Sequence, residues 1–182
     1  MAFVTKISTV FAFMLVLFSL HTANATKPYD PENTLYLDLS YGRVVIALRP
    51  DLAPNHVARI KELTRQGFYD GLVFHRVIEG FMAQTGDPTG TGTSGSGKNI
   101  NAEFTRSPFV RGTLGMARAT PVNSADSQFF ICFKDARFLD NQYTVFGRVI
   151  QGMEFVDQIK RGEPPRNPDR IVKMSVAADV TS

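Results

Sequence analysis

Few residues in this chain could do covalent chemistry. It has one cysteine and three histidines. Cys132 lies inside the apolar run Phe129-Phe130-Ile131-Cys132-Phe133, which reads as a buried thiol used as a small apolar group rather than an exposed, base-activated nucleophile. A single cysteine excludes an intrachain disulfide framework and a thiolate metal cluster, and three histidines are too few for a His-rich metal site. Ser124, Asp126 and His75 make a triad on paper only, because no nucleophile elbow surrounds Ser124. What is left is non-covalent equipment. In Phe74-His75-Arg76-Val77-Ile78-Glu79-Gly80-Phe81-Met82-Ala83-Gln84-Thr85-Gly86-Asp87 a cation sits among apolar side chains and an amide. A guanidinium stays charged at any useful pH and presents a rigid fork of donors.

Two glycine patterns suggest phosphate chemistry and fail on context. Gly90-Thr91-Gly92-Thr93-Ser94-Gly95 fits the dinucleotide pattern, and Gly92 to Lys98 nearly fits a phosphate-binding loop. Both need a helix whose N-terminus receives the phosphates. No helical periodicity follows before Pro108, and Asn99 stands where a Ser or Thr should hold magnesium. Residues 86–98 therefore read as a flexible surface loop. A formal net charge of +3 with no dense Lys/Arg run makes nucleic acid a poor partner.

Four segments carry a resemblance. They are the Phe74–Asp87 stretch, Gly115-Met116-Ala117-Arg118, Ser127-Gln128-Phe129-Phe130-Ile131, and Phe138-Leu139-Asp140-Asn141-Gln142-Tyr143-Thr144-Val145-Phe146-Gly147. In this order, over roughly residues 34–177, they resemble the cyclophilins, a family of peptidyl-prolyl cis–trans isomerases. The resemblance implies Arg76 as the catalytic arginine and Phe81, Met82, Phe130 and Leu139 as walls of a proline pocket. It implies Gln84 and Gln128 as substrate-contacting amides, and Ala117 and Arg118 as positions whose backbone pairs with the peptide. Phe138 stands where many members have tryptophan, Tyr143 where many have histidine, and Arg118 where many have asparagine, substitutions that look like those of bacterial members. The missing tryptophan implies weak binding of cyclosporin. Proline-containing polypeptides are the implied partners, acted on without metal or cofactor by a monomer. The alternative is a binding module that holds proline segments with little turnover.

The residues suit that chemistry. Amide rotation is slow because resonance raises its barrier to ~18–20 kcal/mol, and X–Pro bonds populate both isomers but exchange in tens to hundreds of seconds. No bond is made or broken, so a catalyst need only hold the twisted amide better than either planar form. Alternation along the strands puts Phe74, Arg76 and Ile78 on one face and His75 and Val77 on the other. Gln128 and Phe130 likewise share a face opposite Phe129 and Ile131. Arg76 and the Gln128/Phe130 pair can then meet on one wall, while His75 becomes a packed, hydrogen-bonded structural histidine and His56 a surface residue.

The elements that must position these residues are short. Leu35, Leu37 and Leu39, then Val44, Ile46 and Leu48, alternate around Ser40-Tyr41-Gly42-Arg43, predicting a hairpin over 34–49. Pro54, Val57, Ile60 and Leu63 predict a helix over about 54–66 with Gly67 as its stop. Further strands are expected at 72–78, 81–84, 112–117, 127–133, 145–150 and 171–177, a helical turn at 136–139, and a short helix at 153–160. Eight strands that do not alternate with helices exclude a doubly wound parallel sheet. They predict a mainly β fold: a closed eight-stranded antiparallel barrel capped by two α-helices, filled by side chains, with its binding site on the outer wall.

Residues 1–25 stand apart. Lys6, the eleven-residue apolar run Val10–Leu20 and Ala23-Asn24-Ala25 read as a secretory signal peptide, too short to span a bilayer as a helix. Cleavage is expected after Ala25, followed by a leader over 26–33 and the domain over 34–182. That implies a periplasmic or secreted protein with no membrane association after processing.

Overall fold

Period-two alternation becomes strand wherever one side of the chain has apolar surface to bury. In the computed structural model, which describes residues 29–180, the hairpin forms β1 (Thr34–Leu39) and β2 (Gly42–Leu48), followed by α1 (Pro54–Arg65). Then come β3 (Arg76–Ile78), β4 (Met82–Thr85), β5 (Thr113–Met116), β6 (Phe129–Cys132), β7 (Val145–Gln151), α2 (Met153–Val156) and β8 (Lys173–Val176). The leader's described part, before β1, is capped by Asp30 and makes a 3₁₀ turn over Pro31–Asn33. The expected signal peptide lies outside the described residues.

All eight strands join one antiparallel sheet in the order β3-β4-β6-β5-β7-β2-β1-β8. The sheet curls into a half-barrel and does not close, a correction to the expected barrel. Its outer members β3 and β8 are each shorter than predicted and share no ladder. Their flanks meet instead through Gly71 N–H to Ile171 O (2.8 Å), Ile171 N–H to Leu72 O (2.9 Å) and Phe74 N–H to Asp169 O (2.9 Å). Around this seam the chain is committed to other partners. The Asp169 carboxylate accepts from the Tyr41 hydroxyl, the Lys160 N–H and the Lys160 ammonium. Phe74 turns into the main core, not onto the Arg76 face, because strand geometry begins only at Arg76.

The two faces of the central strands have different duties. Directly paired Val77, Ala83, Ile131 and Leu114 run across β3, β4, β6 and β5 on the concave side, and all are buried in the main core with Phe129, Phe146, Leu35 and Ile46. α1 packs on β7 and β8, and α2 on β2. A second apolar cluster, Met82, Phe109, Phe130, Cys132, Ala136, Leu139 and Val145, lies on the opposite side of the same strands. Cys132 belongs to it, and burial pushes its thiol up to about 12.

α1 begins without a side-chain cap of its own, since Ala53 stands at its N-cap and Pro54 at its first position. Glu103 supplies the cap from a distant loop. Its carboxylate accepts from the Asn55 and His56 N–H groups, both at 3.0 Å, and lies 2.6 Å from His56 Nδ1. His56 is therefore fully buried, not at the surface as expected. Burial lowers its basicity more than Glu103 raises it. α2 stops at Val156, short of the predicted Lys160.

Glu103→Ala strips two orphan donors of a charged acceptor and should cost about 2 kcal/mol. A urea midpoint lowered accordingly, with an unchanged circular dichroism spectrum in the absence of urea, is the expected outcome.

Candidate active site

One line of backbone pairing builds the site. Arg76 on β3 is directly opposite Gln84 on β4, Gln84 is opposite Phe130 on β6, and Phe130 is opposite Gly115 on β5. Directly paired residues project to the same face, so a cation, an amide and an aromatic ring come out side by side on the outer wall. Two residues along the same strands, Ile78, Met82 and Cys132 form the parallel row beneath.

The apolar part is a cup of about 380 Å³ lined by Arg76, Phe81, Met82, Gln84, Ala117, Arg118, Phe130, Phe138, Leu139 and Tyr143. Its floor is dry: Met82, Phe130 and Leu139 are buried. Phe130 stacks on Phe109 (centroids 5.7 Å, 23° between planes) and meets Tyr143 edge-on at 6.0 Å. Phe81 leans on Phe138 at 5.3 Å, and Phe138 is 65% exposed at the rim. Leu139 rides on a 3₁₀ turn, Arg137–Leu139. The following Asp140 anchors that turn, accepting the Phe109 N–H at 2.8 Å and an Arg137 donor.

The polar part is a chain of amides. Arg76 Nη1 reaches Gln84 Oε1 at a long 3.5 Å, Gln84 Nε2 donates to Gln128 Oε1 at 2.9 Å, and Gln128 Nε2 donates to the carbonyls of Ser94 (2.8 Å) and Gly92 (3.1 Å). Arg118 lies over the Tyr143 ring at 4.7 Å and donates to the carbonyls of Gln142, Ala119 and Thr120. A second hollow of about 440 Å³ adjoins the cup and shares Gln84, Ala117 and Arg118 with it. Its far side is polar, with Thr93, Ser94 and Asp126.

Every site residue expected from the sequence lines one of these two hollows. The sequence reading missed three things. The loop over 86–98 is not free: Asp87 accepts from the Thr89 N–H, the Thr89 hydroxyl and the Ser94 N–H, while Asp126 accepts from the Ser96 hydroxyl and the Gly97 N–H. Burial works to raise the Asp87 carboxyl, yet these donors hold it below its ordinary range. Phe109, which backs Phe130, carries no motif. Glu163, whose carboxylate pairs with Arg76 Nε at 2.8 Å, is 87 positions away in sequence, and no local signal could have found it. His75 packs away from the Arg76 row and is buried as expected, but the expected hydrogen bond is missing, since neither ring nitrogen has a partner among the described residues. Burial lowers its basicity.

An apolar cup with a guanidinium at its lip and amides beside it, on the outer wall of an eight-stranded antiparallel sheet, defines the class of protein. The comparisons give that class its family. The model of the cyclophilin type peptidyl-prolyl cis-trans isomerases matches residues 34–176, and the chain belongs to this family. A probable peptidyl-prolyl cis-trans isomerase of Brucella suis is 49% identical, over 94% of this chain and 96% of its own length. Peptidyl-prolyl cis-trans isomerase B of Bacillus subtilis is 42% identical over 66% of this chain and 85% of its own. Among solved structures, the cyclophilin AquaCyp293 from Hirschia baltica superposes with a TM-score of 0.77 at 30% identity, covering 84% of this chain and 76% of that one. A Cryptosporidium parvum cyclophilin, whose crystals were studied in the presence of the dipeptide Ala-Pro, gives 0.73 at 28% identity over 79% and 98% of the two chains. The protein is a cyclophilin-type peptidyl-prolyl cis–trans isomerase.

The cup depends on a missing side chain. A Cβ at Gly115 would overlap both the Phe130 and the Phe109 rings, and Gly115 lies directly across from Phe130. Gly115→Ala should therefore destabilise the fold by about 1–3 kcal/mol through overpacking. It should also lower isomerase activity at least about tenfold, because displacing the Phe130 ring reshapes the cup. Urea titration and a peptide exchange assay read the two effects separately.

Proposed function

We infer that Arg76 is the catalytic residue and that the cup seats the proline ring while the preceding carbonyl swings. In the twisted state the prolyl nitrogen becomes pyramidal and regains its lone pair. The Arg76 guanidinium can donate to that nitrogen or hold the carbonyl on the proline side. A charge-assisted hydrogen bond of this kind contributes ~1.5–3 kcal/mol. Packing about three methylenes of the ring against Phe81, Met82, Phe130 and Leu139 contributes ~2.4 kcal/mol at ~0.8 each. Five decades of acceleration require about 7 kcal/mol, and orientation and exclusion of water supply the rest. The observation that carries this reading is the in-register row that sets the Arg76 guanidinium at the lip of a buried apolar floor.

The remaining assignments follow the groove. Gln84 and Gln128 contact the substrate backbone, Ala117 and Arg118 pair with it through their own backbone, and Phe138 and Tyr143 flank the cup. The Ala-Pro dipeptide used with the Cryptosporidium relative fits proline-containing polypeptides as ligands here. An exposed phenyl ring at position 138 offers less area than an indole and no N–H donor, which favours weak cyclosporin binding. The signal-peptide pattern over residues 1–25 supports a periplasmic or secreted protein that speeds folding of other exported chains. No residue of the cycle requires a metal or cofactor, because rotation transfers neither atoms nor electrons.

Arg76→Ala should lower turnover of a short X–Pro peptide by roughly two decades, the loss of a ~2–3 kcal/mol contact, with the fold intact. Exchange at the original rate in that variant contradicts the mechanism, and peptide binding by the original protein without accelerated exchange favours a binding module. N-terminal sequencing of exported protein is expected to begin at Thr26; an uncleaved Met1 terminus would remove the export reading.

A further inference from the structure

Arg76 is bound from outside the sheet as well as from within it. β3 is an outer strand, and its free side is met by the segment after α2. Val77 and Gly162 exchange reciprocal N–H···O bonds, both at 2.8 Å. Gly162 has φ +144°, and a Cβ there would crowd Pro165 at 2.5 Å, so the turn over 162–165 is tight and delivers Glu163 beside Arg76. The carboxylate then takes Nε, Nη1 reaches only distantly to Gln84, and Nη2 has no protein partner among the described residues. An unrestrained arginine has several rotatable bonds and loses considerable entropy when one rotamer is required. A carboxylate on Nε restricts it while leaving the Nη edge open to the cup.

Resting on the reading of Arg76 as the catalytic group, we propose that Glu163 is a positioning residue: it holds the guanidinium by its Nε so that the free Nη2 donor is presented to the bound X–Pro bond. The pair is solvent-accessible, with 42% and 52% of the two side chains exposed, and exposed pairs add little to stability. Its effect is therefore on orientation, and orientation appears in turnover rather than in folding or ground-state affinity.

The test is a set of variants assayed for exchange of an X–Pro peptide. Glu163→Gln should lower kcat about fivefold with KM and the thermal midpoint unchanged, and Glu163→Asp should recover at least half of the loss. Raising the salt concentration should slow the original protein toward Glu163→Gln while moving the variant little. In an Arg76→Ala background Glu163→Gln should do nothing further. An Arg Nε–H resonance slowed in exchange should be present in the original protein and lost in both single variants. The proposal is overturned if Glu163→Gln leaves kcat unchanged or raises it, or if it lowers activity equally without Arg76. Full activity in Arg76→Ala would instead sink the catalytic assignment itself.

Discussion

Backbone pairing across β3, β4, β6 and β5 is the constraint on which the rest of the molecule depends. Because each pair is in register, Arg76, Gln84, Phe130 and Gly115 must project from the same face, and Val77, Ala83, Ile131 and Leu114 from the other. A slip of one residue in any of these pairings would exchange the two sets. It would put a guanidinium and an amide among Phe129, Phe146 and Ile46, and bring the core residues to solvent. The cost of burying the polar groups without partners is several kcal/mol each. Register, and with it the site, is thus held by the main core on the far side of the strands.

The same economy explains why both faces of so small a sheet are apolar. The concave face closes over the principal core, while the convex face carries a second cluster that is buried only in part. Phe109 and the turn carrying Leu139 cover part of it, and the uncovered remainder is the cup. A floor of packed side chains backed by Phe109 cannot yield to a ligand as a loop would. The cup is therefore a preformed surface, and binding there would spend no energy on ordering the protein. The polar hollow beside it is shaped differently, by a loop whose carbonyls hold Gln128 and whose own turns are held by Asp87 and Asp126.

The cyclophilin family model spans residues 34–176, nearly the whole described domain. Phe138, Tyr143 and Arg118 are the departures the sequence displays, and all three lie at the edge of the groove. Arg118 stacked on Tyr143 makes a flat, charged border that an asparagine with a histidine would not make.

Much of this was legible in the chain. The strand alternation, the helix beginning at Pro54 and the Phe74–Asp87, Gly115–Arg118, Ser127–Ile131 and Phe138–Gly147 segments were enough to name the fold class, the family and every residue lining the cup. These are local signals: a two-residue period, a proline at a helix start, a motif. Four features were decided only by tertiary structure. The sheet stays open because β3 and β8 are short and share no ladder, so that only their flanks meet. His56 is buried because Glu103, from a remote loop, caps its helix. Arg76 is paired from outside by Glu163, and the glycine-rich loop is bound down by two aspartates. Each of these joins groups far apart in sequence through a carboxylate or a backbone edge. Such contacts leave no periodicity behind them, since one acid among polar residues looks the same whether it faces water or a guanidinium.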